Sequence, residues 1–442
     1  MDENELMGSM KVSKAVAKMA IPSVISSLVT VVYNMADTFF VGQTGDPLQV
    51  AAVSQTNPIF ILFMAFANMF GMGGSAAASM ALGEKKEKRV KQVSSFITYA
   101  SLIVGIVFAV ILLVGMQPVL QLFGADADTY ELAKGYTTYI SYGAPFIIWS
   151  AAASFVVRSD GASREAMTGS MIGTVANIIL DPIFISGFGM GAAGAAIATT
   201  IGNIMASVYY LWYFCRKSRN MSMAFRYFKC GDRILSQVCS AGLPTAIFSA
   251  LMSISTIILN QILVAYGNAP VAAIGIVFKA NMFITFLQMG LANGVQPLLG
   301  YSYGAGNRER FITVERYTKK CCLIVGVLAT ALFFFFREPI IHLFISDTEV
   351  INYGVEMLIA YMISGPVIGI LFMNMNCMQS TGNALPATIL SILRQGVLLI
   401  PVFYGLNALL GLHGVIYGQA LTDYVAVLLS IVIWRWKRRK TL

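Results

Sequence analysis

The chain has 442 residues, of which 57% are hydrophobic and only 12% are charged, and its mean hydropathy is +0.72. Soluble domains carry about 25% charged residues, and soluble cores of this size cannot bury so much apolar surface. The composition therefore excludes a water-soluble enzyme. The six cysteines and two histidines lack the spacings of a zinc site, a haem attachment site or a disulfide framework. The net charge of +9 is compatible with nucleic-acid binding until the positions of the charges are considered.

Long apolar segments, separated by charge clusters, glycines and prolines, predict membrane-spanning helices rather than barrel strands. Twelve spans are expected, and the first is interrupted by Pro22. This first span is not a signal peptide, because it lacks a small-residue cleavage site and eleven further spans follow it. The predicted spans cover residues 14–40, 50–80, 93–115, 131–156, 166–187, 191–214, 235–265, 270–302, 315–336, 352–377, 385–408 and 412–434.

Lysine and arginine are concentrated in the even-numbered connections between these spans and at both ends of the chain. Basic clusters lie at residues 85–91, 216–233 and 308–320, whereas the odd-numbered connections contain only Arg337. Because cytoplasmic loops carry the excess of positive charge, both termini are predicted to be cytoplasmic. The basic character thus reflects membrane topology, and no nucleic-acid partner is expected.

The two halves of the sequence resemble each other at a shift of 220 to 223 residues. Pro22 corresponds to Pro244, VAAV at 50–53 corresponds to VAAI at 271–274, and PVLQLF at 118–123 corresponds to PIIHLF at 339–344. Six spans per repeat is an even number, so both repeats enter the membrane in the same sense and are related by a pseudo-twofold axis along the membrane normal. We therefore expect a transporter with its substrate between two six-helix lobes, at 1–214 and 235–442, joined by a cytoplasmic linker at 215–234.

Acidic residues inside the predicted spans are candidates for function, because a carboxylate is costly in hydrocarbon unless it faces protein or water. Asp37 and Asp181 lie near the outer ends of the first and fifth spans, at the depth of Thr199 in the sixth. Asn177 lies one turn before Asp181 and shares its helix face. These oxygens are suited to a sodium ion, or the two carboxylates could share a proton. The simpler alternative is that each carboxylate only bonds a helix kink or lies close to the interface.

The second half has no acid at the positions that match Asp37 and Asp181, so any ion site is expected in the first half. Asp423, near the middle of the twelfth span, and Lys279, in the eighth, are secondary candidates. Lys279 either extends to the membrane surface or pairs with Asp423. Pro22 removes a backbone donor and either only bends the first span or forms a hinge coupled to Asp37.

Several motifs, in this order and spacing, resemble the multidrug and toxic compound extrusion (MATE) family over essentially the whole chain, closest to its MepA-like branch near the DinF group. They are Ile21-Pro22, YNMADTFFVGQ at 33–43, GMGGSAAASMALGEK at 71–85, RSDG at 158–161, NIILDPIFI at 177–185 and GAAGAAIAT at 191–199. The resemblance implies two six-helix bundles that form a V around a central cavity. It also implies export of cationic or amphipathic compounds, driven by inward flow of sodium ions or protons.

The resemblance also implies a cation site in the first lobe. Family members carry an Asp in the first helix, an Asn and an Asp four residues apart in the fifth, and a Thr in the sixth, which match Asp37, Asn177, Asp181 and Thr199. Other members use acids in helices seven and ten, where this sequence has only Asn260, Asn374 and Asn376. The candidates for the substrate cavity are Tyr33, Asn34, Gln55, Asn57, Asn281, Met282 and Gln288.

Together these features predict a secondary multidrug exporter, expected to act as a monomer in a bacterial plasma membrane and to need no cofactor besides its coupling ion. The alternative is a flippase for lipid-linked sugars of the same superfamily. That function calls for several basic residues inside the spans, and this sequence offers chiefly Lys279 and Arg394, the latter expected close to a helix start. An integral-membrane enzyme is not expected, because His342 and His413 have no partner acid in their motifs.

Overall fold

A computed structural model of the chain describes residues 3–231, 233–345 and 347–441, and every regular element within them is helical. Eleven of the described helices are long and apolar enough to cross a membrane, and the pair Thr348–Ile363 and Gly365–Ser380, bent by 44°, forms a twelfth span. The other spans are Val12–Gly42, Pro47–Gly83, Glu87–Val114, Tyr130–Ser159, Ser163–Gly187, Gly191–Arg216, Ile234–Val264, Asn268–Gly304, Arg308–Phe335, Ala384–Leu410 and Leu412–Thr441. The prediction of an all-helical, twelve-span membrane protein is confirmed.

The first span is a single helix that continues through Pro22, so the predicted interruption is wrong. A proline inside a helix removes one hydrogen bond, but Val12–Gly42 remains one continuous helix around it. The hydroxyl of the adjacent Ser23 donates to the carbonyl oxygen of Met19 at 3.0 Å. Whether Pro22 acts as a hinge stays a prediction.

The internal repeat is visible in the backbone as well as in the sequence. Short helices at Met116–Leu122 and Arg337–His342, which the sequence analysis did not predict, coincide with the matched PVLQLF and PIIHLF segments. The turns after the fourth and tenth spans contain Gly161 and Gly382, at φ of +87° and +71°. Glycine is favoured there because other side chains are strained at positive φ. The two halves therefore use the same turns at the same places.

Each half packs around one central span. In the first half the fourth span contacts the second, third and sixth, and in the second half the tenth contacts the eighth, ninth and twelfth. The connection predicted at 215–234, whose residue 232 lies outside the described residues, packs on the third span. Ser94, Ser95 and Tyr99 donate hydrogen bonds to its backbone carbonyls at 2.9 to 3.0 Å. The linker is thus held against the first half.

The two halves meet near the ends of the spans that lie on the side of both termini. The second span packs on the seventh at Gly73, where a Cβ atom would lie 1.9 Å from the carbonyl oxygen of Val238. It packs on the eighth at Gly304, where a Cβ atom would lie 2.1 Å from the carbonyl oxygen of Met80. The first span packs on the eighth at Gly290. The halves are held together on this side, and the V-shaped cleft between them opens towards the other.

Candidate functional site

The structure brings together three of the four residues that were predicted to form an ion site in the first half. Asn177 and Asp181 lie one turn apart on the fifth span, Thr199 lies on the sixth, and the three are at most 4% exposed. With the Asn177 amide rotated so that each atom meets a complementary partner, its nitrogen lies 3.1 Å from Asp181 Oδ2. Its oxygen then accepts from the Thr199 hydroxyl at 3.2 Å and the Thr199 amide at 2.9 Å.

The second carboxylate oxygen of Asp181, Oδ1, also lies inside this cluster. Oδ1 is buried and has no hydrogen-bond partner among the described residues. An unpaired buried carboxylate oxygen is costly, and it becomes acceptable when a proton or a cation occupies the place next to it. Asp37, the fourth predicted residue, is only half-buried on the first span, and its charge interacts with that of Asp181. One carboxylate is therefore enclosed and the other is partly accessible.

Two tyrosines border the carboxylates. The Tyr33 hydroxyl lies 3.4 Å from Thr199 Oγ1, so this residue, predicted to line the substrate cavity, belongs to the polar cluster. Tyr136 on the fourth span lies close enough to interact with the charges of both Asp37 and Asp181. The sequence analysis missed Tyr136, because it depends on which turn of the fourth span faces the first and fifth.

The cluster offers oxygen atoms as its potential ligands. Two carboxylates, an amide and hydroxyl groups are hard donors that suit a sodium ion, and the same carboxylates can take up a proton. Among the described residues no three His, Cys, Asp or Glu side chains form a metal-binding group. The donor set fits either of the two ions that the sequence analysis left open.

The predicted cavity residues have different environments. Met282 lies seven residues before Met289 and eleven before Asn293, so it shares their helix face, and both line a cavity between the halves. Asn57 is exposed, and Asn34 and Asn281 are half-buried. The environments of these four residues are compatible with a position at the cleft.

Two of the predicted cavity residues, Gln55 and Gln288, form hydrogen bonds within their own halves. The Gln55 amide donates to the carbonyl oxygen of Gly124 at 3.0 Å. Gln288 is fully buried inside the second half, where its amide donates to the carbonyl oxygens of Cys322 and Gly365 at 2.9 and 3.3 Å. Because buried amides need partners, Gln288 stabilises packing inside the second half, and its assignment to the cavity is wrong. Gln55 is half-buried, and its assignment to the cavity stays a prediction.

The base of the cleft includes residues of the seventh and tenth spans, which the cavity prediction did not use. A cavity of about 30 Å³ lies between the second span and spans seven, eight and ten. Its lining includes Met72 and Phe248 from opposite halves, together with Gln379, whose Oε1 atom has no partner among the described residues. The combination of methionine, phenylalanine and a few amides gives an adaptable, mainly apolar surface.

Asp423 is paired with Arg394, and the predicted pairing with Lys279 is wrong. Arg394 Nε donates to Asp423 Oδ1 at 2.8 Å, and the two side chains are 7% and 4% exposed. Gln419 donates to the same oxygen at 3.0 Å, and the Arg394 guanidinium lies 5.2 Å from the centre of the Phe248 ring. Arg394 belongs to the π-helical turn Leu393–Leu398, well inside the eleventh span rather than close to its start.

Comparisons with known proteins bear on the family and the fold. The sequence model of the MatE family matches twice, at residues 22–183 and 244–404. The chain is 32% identical over 422 residues to the multidrug export protein MepA of Staphylococcus saprophyticus subsp. saprophyticus, and equally to that of Staphylococcus aureus, covering 96% of this chain and 93% of each relative. A solved structure described as the outward-facing conformation of a multidrug resistance MATE family transporter of the MOP superfamily superposes with a TM-score of 0.92 at 25% identity, covering 100% of this chain and 99% of that one.

Proposed function

The chain belongs to the MatE family, and on that premise we propose that it is a secondary multidrug exporter of a bacterial plasma membrane. It exchanges a sodium ion or a proton, entering from outside, for a cationic or amphipathic compound that leaves the cell. It performs no chemical conversion of that compound. The proposal agrees with the export function named for its staphylococcal relatives and with the cleft between its two halves.

The observation that carries the proposed coupling is the enclosed carboxylate of Asp181. Its unpartnered oxygen lies among the amide and hydroxyl groups of Asn177 and Thr199, and the partly accessible Asp37 is its electrostatic neighbour. An ion that binds here lowers the cost of burying the charge. The cluster therefore favours different packing with and without the ion, which is what a transporter needs in order to couple ion entry to drug exit.

A flippase for lipid-linked sugars is disfavoured by the pairing of Arg394. Such a protein needs free cationic groups in its cavity to bind a pyrophosphate, and the Arg394 charge is neutralised by the buried Asp423. Of the two basic residues that the sequence offered for this role, only Lys279 has no partner among the described residues. A single ammonium group is a poor match for a pyrophosphate that carries two or more charges.

Transport into and out of proteoliposomes tests the proposal. We expect ethidium efflux by the wild-type protein to respond to an imposed sodium gradient or to an imposed proton gradient, applied separately. Asp37→Asn and Asp181→Asn keep the side-chain size and remove the charge, so both should abolish the gradient-driven part. Asn260→Ala, in the matching region of the other half, is the control and should retain it. If efflux by the wild type does not respond to either gradient, the antiport mechanism is contradicted.

A further inference from the structure

Lys279 is an intramembrane cation with no assigned role. It lies in the eighth span, eleven residues from the helix start at Asn268, or about 16 Å along the axis. Its side chain is half-buried, and it has no hydrogen bond or ion pair among the described residues. Asp423, the acid that could have neutralised it, is paired with Arg394. A charged side chain at such a depth is costly unless it faces water or a charged ligand.

The helix face that carries Lys279 looks away from the core of its own half. The buried residues Ala273, Val277 and Ile284 define the face that packs inside the second half. Lys279 instead shares a face with Gly290, because eleven residues make about three helical turns, and Gly290 packs against the first span. The lysine is therefore directed towards the first half, across the cleft.

The packing of the first span on the eighth also shows at which height in the cleft Lys279 lies. A Cβ atom on Gly290 would lie 3.0 Å from Val24 Cα and 2.7 Å from Ser27 Oγ. The first and eighth spans run in opposite directions. Lys279 lies eleven residues outward from Gly290 on the eighth span, and the residues eleven positions outward from 24–27 on the first span are 35–38. Because the rise per residue is the same in both helices, these positions lie at the same height. Asp37 lies in that range. The lysine of one wall and the aspartate of the other are at the same level of the cleft.

The surroundings of Lys279 are apolar and aromatic. Met282, Phe283 and Phe286 follow it at spacings of three, four and seven residues and so lie beside it on the same face, and all three are partly exposed. The cleft thus has a wall with an ammonium group set among aromatic side chains, opposite a wall that is polar and acidic.

From this geometry we infer that Lys279 binds a carboxylate of the transported compound. The inference rests on the proposed export function and narrows its substrate class. The substrates it favours are amphipathic aromatic molecules that carry both a cationic group and a carboxylate. The ring system packs on the phenylalanines of the eighth span, and the carboxylate pairs with the Lys279 ammonium group.

A matched pair of dyes tests the inference directly. Rhodamine 110 carries a free carboxylate and rhodamine 123 is its methyl ester, so the two differ in the group that Lys279 would bind. Binding to the full chain in detergent is measured by fluorescence anisotropy. We expect Lys279→Gln to weaken the binding of rhodamine 110 about tenfold or more, which is the effect of losing a hydrogen bond to a charged group. The affinity for rhodamine 123 should change less than twofold. Lys279→Arg should retain the preference, and Lys320→Gln, at an exposed position of the ninth span, should change neither dye.

The possible results separate this inference from the proposed function. Equal weakening of both dyes by Lys279→Gln would overturn the inference, because the lysine would then act on the packing of the halves rather than on a carboxylate. Unchanged binding of rhodamine 110 would overturn it as well. A wild-type protein that binds the ester but not the acid would overturn the role of Lys279 and leave drug export standing. A wild-type protein that binds neither dye would count against both.

Discussion

The buried pair of Arg394 and Asp423 allows a quantitative prediction about stability. Replacing Asp423 with Asn keeps the size of the side chain but leaves the Arg394 guanidinium, at 7% exposure, without the negative charge that lies 2.8 Å from it. Removing one member of a buried ion pair costs about 3–5 kcal/mol. At about 2–4 °C per kcal/mol for a unit the size of one half, the unfolding midpoint should fall by about 6–20 °C.

A double replacement distinguishes the loss of pairing from a general sensitivity of the site. Arg394→Met together with Asp423→Leu removes both charges, and such replacements are often neutral or even stabilising by about 1–4 kcal/mol. The double variant should therefore unfold well above the Asp423→Asn variant. Lys279→Gln is the matched control, since it removes a span charge that has no protein partner among the described residues.

The measurement is thermal unfolding of the purified chain in detergent, followed by light scattering and by tryptophan fluorescence. A midpoint of Asp423→Asn within about 2 °C of the wild type would refute the reasoning. The single variants Arg394→Met and Asp423→Leu complete the cycle. The reasoning would be refuted equally if their separate losses simply added in the double variant, because additivity means that the side chains do not interact.

Three further predictions follow from the site, the interface and the topology. Cation and drug affinity are linked reciprocally, typically by 1–3 kcal/mol or about 5- to 150-fold, so added sodium or acid pH should weaken drug binding in detergent, and the Asp37→Asn, Asp181→Asn double variant should lose that dependence. Gly242→Ala would place a Cβ atom 1.8 Å from a carbonyl oxygen of the second span and should cost about 1–3 kcal/mol of stability, whereas Gly275→Ala, with no atom within 4 Å, should cost nothing in the same thermal assay. Tags at the two ends of the chain should both resist external protease in intact cells, and cleavage of either one would contradict the predicted orientation.

The sequence sufficed for the spans and the core of the ion site because both rest on counting along helices. Hydropathy defined the spans, and the spacing of four residues placed Asn177 and Asp181 on one face. Thr199 was matched to them by its depth in the next span. Counting along a helix gives the height of a residue and the helix face on which it lies. For Asn177, Asp181 and Thr199, height and face were enough to predict that the side chains meet.

What the sequence could not supply was the direction of each polar side chain within the bundle. In the sequence, Gln55 and Gln288 look the same as polar residues that line a cavity. In the structure, the amide of each donates a hydrogen bond to a backbone carbonyl oxygen of its own half. The partner of Asp423 depends on a π-helical turn that sets the direction of Arg394. A bulge of this kind has no clear sequence signature, so the pairing followed only from the packed structure.

The two halves share a backbone but differ in charge, and this difference bears on how coupling would work. In the first half, Asp37 and Asp181 have no cationic partner among the described residues. In the second half, Arg394 neutralises Asp423, and Lys279 is the span residue whose charge has no partner among the described residues. On the proposed mechanism the cation therefore belongs to the first half and the substrate carboxylate to the second. The first span connects them, because it carries Asp37 and packs directly on the span of Lys279. Any shift of that span on cation binding must change the width of the cleft where the drug binds, and by linkage the drug must oppose the same shift.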